Sequence, residues 1–271
     1  MNDRAQRFRE LHAEGCFVLP NPWDVGSAIA LKQLGYQALA SSSAALAFAH
    51  GLPDRPDALE LELVLEHLSL LAGATDLPLN ADFQSGYADS PESVAEHVAL
   101  CAGTGVAGLS IEDARPSGEP ELFEISEAVE RMTAARAALD ATAPEVVLTG
   151  RAEGFLVGHP DLDDVVRRLV AYSEAGADCL FAPELSTREQ IREVVSAVAP
   201  KPVNVLVSAP TELSLDDLAE LGVRRVSMGS SLARVAWGAM LAYAQHVHDT
   251  GRFEGLENAA GFQELNARFD A

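Results

Sequence analysis

Short apolar runs alternate along this chain with longer segments in which apolar residues recur every three or four positions. That is the pattern of buried strands, each followed by an amphipathic helix. Residues 16–19 read as a first strand and 25–34 as its helix, stopped by Gly35. A second strand at 38–40 leads into a long loop and a helix over 59–71. The third, 79–82, is followed by a helix that Ser90-Pro91-Glu92 opens, with proline suited to the first helical turn. Further strands are predicted at 108–112, 146–149, 179–181, 203–207 and 225–228, with helices at 125–139, 162–175, 188–197, 215–221 and 232–248. Eight strand–helix units, with strands apolar enough to be buried on both faces, predict an α/β fold of the (β/α)8 TIM-barrel type. An open doubly wound sheet is the other arrangement the alternation allows, and eight near-equal repeats favour closure. The whole chain, 1–271, is expected to form one such domain, with 232–271 as the eighth helix and a C-terminal amphipathic segment carrying Phe253, Leu256, Phe262 and Leu265.

Composition narrows the function more than the fold. With 19 basic and 41 acidic residues the net charge is -22, which leaves no basic footprint for nucleic acid. No apolar run approaches the roughly 20 residues of a membrane span, and the charged, helix-like start resembles no secretory signal. Cys16, Cys101 and Cys179 stand singly in apolar surroundings, as expected of a reduced, cytoplasmic protein. On so acidic a chain a small anionic substrate needs local cations, so each arginine near a strand end matters.

In a barrel of this kind chemistry sits just past the carboxyl ends of the strands. Ser41 to Ala44 follow the second strand, with Asp54 further along that loop; Asp82 and Gln84 follow the third, Glu112 and Asp113 the fourth, Arg151 and Glu153 the fifth, and Asn204 lies in the seventh. Asp82 and Glu112 fall on adjacent strand ends, where two carboxylates with water suit a magnesium ion. The plainer reading is that each caps a helix or pairs with a neighbouring cation. Arg151 offers a permanently charged planar fork to a carboxylate or phosphonate, though it could equally bridge to Glu112 or Glu153. Ser42, Ser43 and Ala44 offer small side chains and backbone amides suited to an oxyanion pocket, and Trp23 could wall it. Gly229-Ser230-Ser231 before the last helix sits where many barrels bind phosphate, and is also an ordinary helix start.

Taken in order, Asn21-Pro22-Trp23-Asp24, Ser41-Ser42-Ser43-Ala44, Gly51-Leu52-Pro53-Asp54, residues 81–87, Ile111-Glu112-Asp113 and Arg151-Ala152-Glu153 resemble the isocitrate lyase/phosphoenolpyruvate mutase superfamily across nearly the whole chain. The resemblance implies a Mg2+ or Mn2+ site, with Asp82 as direct ligand and Glu112 holding metal-bound water. It implies cleavage or formation of a C–C or P–C bond beside a 2-oxo acid. Backbone amides near Ser43 and Ala44, together with Arg151, would hold substrate oxygens, and Asp54 would stand near the reacting group. The chain departs from the family in three places. Gln84 stands where a second motif carboxylate is expected, and can still order a metal-bound water. Residues 114–119 replace the lyase loop that carries a catalytic cysteine. The mutase gating loop is missing.

These readings converge on a metal-dependent lyase or hydrolase of a small 2-oxo or 2-hydroxy carboxylate. A 2-oxo acid binding protein on a diverged scaffold is the second possibility. A phosphate-binding aldolase is the third, disfavoured because Lys32 and Lys201 are not at strand ends. The last predicted helix carries an apolar stripe, widened by Trp237 and Leu241, that one barrel face does not need. In the superfamily this helix crosses to a partner subunit, which predicts a homo-oligomer, dimer or tetramer.

Overall fold

The computed structural model describes residues 3–116 and 121–270. Eight parallel strands form one nearly closed barrel: β1 (Phe17–Leu19), β2 (Leu39–Ala40), β3 (Leu79–Asp82), β4 (Gly108–Glu112), β5 (Val147–Arg151), β6 (Cys179–Phe181), β7 (Val203–Leu206) and β8 (Arg225–Ser227). Each strand pairs with its sequence neighbour and β8 pairs with β1; only β1 and β2 share no ladder. That seam is held by Ala40 N–H donating to the Pro20 carbonyl at 3.0 Å. Asn21 reinforces it: its Nδ2 donates to the Ser41 carbonyl (2.7 Å) and its Oδ1 accepts from the Met228 amide (3.0 Å).

The helices between strands are α2 (Val25–Gln33), α4 (Leu61–Ala74), α5 (Pro91–Gly103), α6 (Ile125–Thr142), α7 (Leu162–Glu174), α8 (Arg188–Val198) and α9 (Leu215–Glu220), preceded by α1 (Asp3–Ala13). Their starts follow local chemistry. Asp24, Ser90, Asp161, Thr187 and Ser214 each accept a hydrogen bond from an amide of the first turn. The long loop expected after β2 instead contains a short helix, α3 (Ser43–Ala49), capped by the Ser42 hydroxyl.

Strands buried on both faces prove correct, but apolar on both faces does not. Outward-facing Leu79, Ala81, Leu109, Ile111, Leu148, Leu180, Val203, Val205 and Val226 pack under the helices in the main core. At the bottom the inward face is apolar, where Phe17, Ala38, Val147 and Cys179 meet Phe8 of α1. Gly108 is required there, since a Cβ would stand 2.7 Å from the Phe8 ring. Higher in the lumen the polar inward positions are Asn80, Ser110, Thr149, Asn204, Arg225 and Ser227, all buried, among the apolar Leu19, Ala40, Phe181 and Leu206. A wholly apolar lumen would leave no polar floor for a site above it.

His12 of α1 closes this lumen from below. Its Nδ1 lies 2.7 Å from the Phe8 carbonyl and its Nε2 3.3 Å from Arg225 Nη1. A carbonyl only accepts and a guanidinium only donates, so His12 carries its proton on Nδ1 and accepts at Nε2. Burial, then Arg225, push its pKa down to about 3. Below the ordinary value near 6.5 the unfolded chain takes a proton that the folded chain refuses. The stability His12 supports is therefore present above pH 6.5 and lost as pH falls towards 3. Urea unfolding of His12→Asn at pH 7 and pH 5.5 is expected to show an acid-induced loss smaller than the parent's by about 1 kcal/mol. Identical losses in the two proteins would remove His12 from this role.

The last barrel helix, α10 (Ser231–Thr250), leaves its own barrel, and Ala233 is its one buried residue. The chain then turns at Gly251 and ends in α11 (Phe262–Phe269), which folds back to α2: Gln33 Nε2 donates to the Arg268 carbonyl at 2.6 Å. Among the described residues, no helix is long and apolar enough to cross a membrane.

Candidate active site

A cavity of about 210 Å3 opens at the carboxyl end of the barrel, lined at its mouth by Ser42, Ser43, Ala44, Asp54, Asp82 and Arg151 and lower down by Asn80, Ser110, Asn204, Arg225 and Ser227. At roughly 30 Å3 per water, that is room for about seven waters, or for a ligand on the order of ten non-hydrogen atoms. Three larger depressions lie elsewhere: one between α10 and residues 254–259, one outside the barrel around Ser186 and Pro210, and one between Trp23 and α10. None of the three reaches Asp82, Glu112 or Arg151, so size does not identify the site.

Arg151 is the hub of the mouth. Its Nη1 lies 3.1 Å from both Asp82 Oδ1 and Glu112 Oε2, and its Nε and Nη2 both bond Glu153. Burial opposes the guanidinium's charge, but Glu112, Glu153 and Asp82 outweigh it and hold the pKa above the ordinary value. The fork expected to face a substrate is therefore already engaged by Glu153. One edge at Nη1, shared by two carboxylates, remains at the cavity wall. Burial pushes Glu112 well up, and Glu153 up to about 6, even with Arg151 beside them. The cluster is short of positive charge.

Asp82 has a second tie. Its Oδ2 accepts from both the amide and the hydroxyl of Ser43, each at 2.8 Å, so the carboxylate is aimed by the start of α3. Of the expected oxyanion donors, Ser43 N–H is thus occupied. The Ala44 amide remains in the first helical turn, where amides have no acceptor four residues back. Asp54 stands on the exposed α3–α4 connection yet borders the cavity. Desolvation there and the charge of Asp82 raise its pKa, against the pull of Arg151.

Gln84 and Tyr87 lie under the mouth, on a turn that carries positive φ at both (42° and 52°), with Gly86 between them at 83°. Positive φ is uncommon for residues with a Cβ and tends to gather at functional sites. Gln84 Oε1 and the Tyr87 hydroxyl are buried without a hydrogen-bond partner among the described residues. Tyr87 is pushed well up by burial, then by Asp82 and Glu112, so it holds its proton. Two carboxylates, an amide oxygen without a donor and excess negative charge are a hard-oxygen set suited to a water-rich Mg2+ or Mn2+ ion. Among the described residues no three His, Cys, Asp or Glu side chains converge in a metal-holding group, so Gln84 and water would have to complete such a set.

Asn204 lies at the cavity floor, as expected of a substrate-facing residue, but its amide bonds Ser227 and Arg225. Trp23 does not line this cavity; it borders a separate depression with Ala49, Trp237 and Met240. The cysteine-loop counterpart, 114–119, lies outside the described residues from 117 onward. Its described start bridges back through Ala114 to Leu122.

The supporting residues Arg131, Arg168 and Tyr172 escaped the sequence reading, as did the role of Asp113. Arg131 of α6, almost fully buried, donates to the carbonyls of Ser85, Ala88 and Asp89 and so clamps the turn that carries Gln84 and Tyr87. Asp113 accepts from the Glu153 amide (2.8 Å), Tyr172 hydroxyl (2.5 Å) and Arg168 (3.1 Å), which fixes the end of β5 beside the cluster. The only sequence signal was an arginine in the middle of an otherwise amphipathic helix.

Known proteins share this arrangement of elements. The family model Phosphoenolpyruvate phosphomutase matches residues 8–248. The 2-methylisocitrate lyase of Escherichia coli is 32% identical over 86% of this chain and 78% of its own length. The oxaloacetate decarboxylase of Paraburkholderia xenovorans is 33% identical over 83% and 75%. A Burkholderia cenocepacia J2315 protein of known structure superposes with a TM-score of 0.95 at 42% identity, covering 100% of this chain and 96% of that one.

Proposed function

The chain belongs to the isocitrate lyase/phosphoenolpyruvate mutase superfamily, whose members act on C–C or P–C bonds of small carboxylates, and we propose that it is a divalent-metal-dependent lyase or hydrolase that cleaves such a bond in a 2-oxo or 2-hydroxy carboxylate. The observation that carries this reading is the convergence of Asp82 and Arg151, with Glu112 against Arg151 behind them, at the mouth of one small cavity that Asp54 and the start of α3 also border. Asp82 would bind Mg2+ or Mn2+ directly, with Glu112 and Gln84 holding its waters. When bound, the cation supplies Lewis-acid charge that polarises a 2-oxo group. The Ala44 amide and the Nη1 edge of Arg151 stabilise negative charge on the substrate oxygens. Glu153 and Asp113 keep that guanidinium in place. Asp54, its pKa raised, is the carboxyl at the rim able to hold or release a proton near the bond that breaks.

Turnover of oxaloacetate, methylisocitrate and phosphonopyruvate with Mg2+ or Mn2+, and again with chelator, tests the proposal. Metal-dependent turnover of one of them is the expected result. Gln84 and the replaced cysteine loop favour one alternative, a 2-oxo acid binding protein: tight binding across the panel with no turnover would establish that instead. We also infer a cytoplasmic homo-oligomer, dimer or tetramer, assembled through α10.

A further inference from the structure

Arg225 is a costly residue to bury. Its side chain lies inside the lumen with 2% of its surface exposed, and every partner it has among the described residues is neutral. Nε donates to Asn204 Oδ1 (2.8 Å), Nη1 faces His12 Nε2 (3.3 Å) and Asn80 Oδ1 (3.4 Å), and Nη2 donates to Thr149 Oγ1 (3.2 Å). Four acceptors meet five N–H groups, and none is a carboxylate. A buried charge without a counter-charge costs several kcal/mol. A neutral side chain would fill the same space more cheaply.

The surroundings show where a counter-charge would come from. Arg225, Asn80, Ser110, Asn204 and Ser227 line the lower part of the same cavity whose mouth carries Asp82 and Arg151. The mouth has an excess of carboxylates; the floor has an excess of cation. Arg151 is engaged by three carboxylates, and Arg234, the remaining arginine on the cavity wall, is exposed at the rim and donates to the Ser208 carbonyl. Arg225 is thus the buried cation of the cavity that no carboxylate among the described residues engages.

We propose that Arg225, with Asn204 and Ser227 beside it, forms an anion subsite at the cavity floor that takes the far carboxylate of a substrate held at the mouth by its 2-oxo or 2-hydroxy end. This rests on the metal-assisted reading above. Reach selects the chain length. Asn80, level with the guanidinium, lies two residues below Asp82 on β3, about 6.6 Å along the strand. A four-carbon diacid spans about 4 Å between its end carbons at roughly 1.5 Å per bond, and a charge-assisted hydrogen bond adds about 2.8 Å. A three-carbon monoacid satisfies the mouth and leaves the floor unpaired. His12 contributes from below: as the neutral tautomer it accepts from Arg225 and adds no competing charge.

Calorimetry with Mg2+ tests this on the intact protein with four ligands: oxalate, which needs only the mouth; pyruvate; 2-hydroxybutyrate; and malate, which replaces the 2-hydroxybutyrate methyl by a carboxylate. Malate is expected to bind at least tenfold more tightly than 2-hydroxybutyrate. In Arg225→Met that preference is expected to vanish while oxalate and pyruvate keep their affinities. Arg225→Lys, which keeps the charge and gives up the fork, is expected to retain only part of it. Should Arg225→Met fail to fold, the parent's malate preference and the lysine variant decide the matter. Oxalate binding without any malate preference overturns the subsite and leaves the metal-assisted reading intact. Binding of none of the four overturns both.

Discussion

Asp82→Asn is expected to lower Mg2+ affinity and turnover at least a hundredfold, and Gln84→Ala by about tenfold. The asymmetry follows from what each side chain is asked to do. Loss of an outer partner that orients water typically costs ~10–100-fold in metal affinity or activity, so loss of a direct carboxylate ligand must cost more. Asp82 also has no substitute: its Oδ1 meets Arg151 and its Oδ2 takes both donors of Ser43. Asparagine turns one of those acceptors into a donor and misaims the start of α3. Gln84 meets nothing through Oε1 within the described protein, so its removal disturbs only what that oxygen would bind. Metal titration by calorimetry, with steady-state turnover of whichever panel substrate is active, reads both effects. Equal effects of the two substitutions, or none from either, would remove the metal site.

The second large effect concerns assembly. In solution the protein is expected to run as a dimer or tetramer rather than as a 28.7 kDa monomer, and deletion after Thr250 to reduce both the oligomer size and the midpoint of thermal unfolding. The structure supplies the reason. Along α10, Val235, Trp237, Met240 and Leu241 stand 40–70% exposed, and Phe253 and Phe262 beyond it are 70% and 83% exposed. A helix packed on its own barrel would turn those residues inward. Exposed apolar side chains gathered along one helix are what an oligomer interface would cover. The first turn of α10 follows directly from Gly229 and Ser230 on the cavity wall, so covering the helix would also steady that wall. Light scattering of a monomer at micromolar concentration would end this reading, as would a truncated chain of unchanged size and stability. Trp237→Glu is a gentler probe of the same face and should dissociate the oligomer without unfolding the barrel.

The alternation of apolar runs and amphipathic segments determined the barrel. Every predicted strand is present, with ends within one or two residues of those expected, because strand and helix periods are local properties of the chain. The candidate residues at the strand ends were readable for the same reason: once β3, β4 and β5 are placed, Asp82, Glu112 and Arg151 must emerge together at one rim. Local pattern also marked the stripe on α10 as too wide for one barrel face, though it could not show that the helix leaves its barrel altogether.

What the tertiary structure alone decided involves contacts across the lumen or between distant helices. Arg225 read as the first residue of an apolar strand; its place at the polar floor depends on which face of β8 turns inward and on the stagger that sets it level with Asn80 and Thr149. The engagement of Arg151 by Glu153, the clamp of Arg131 on the Gln84 turn and the tie of Asp113 to Tyr172 and Arg168 likewise join residues that sequence spacing does not connect. The displacement of Trp23 from the cavity to a depression beside α10 has the same origin. Periodicity says which residues share a face. Barrel closure and strand register decide which faces meet, and there the charges of this site find their partners.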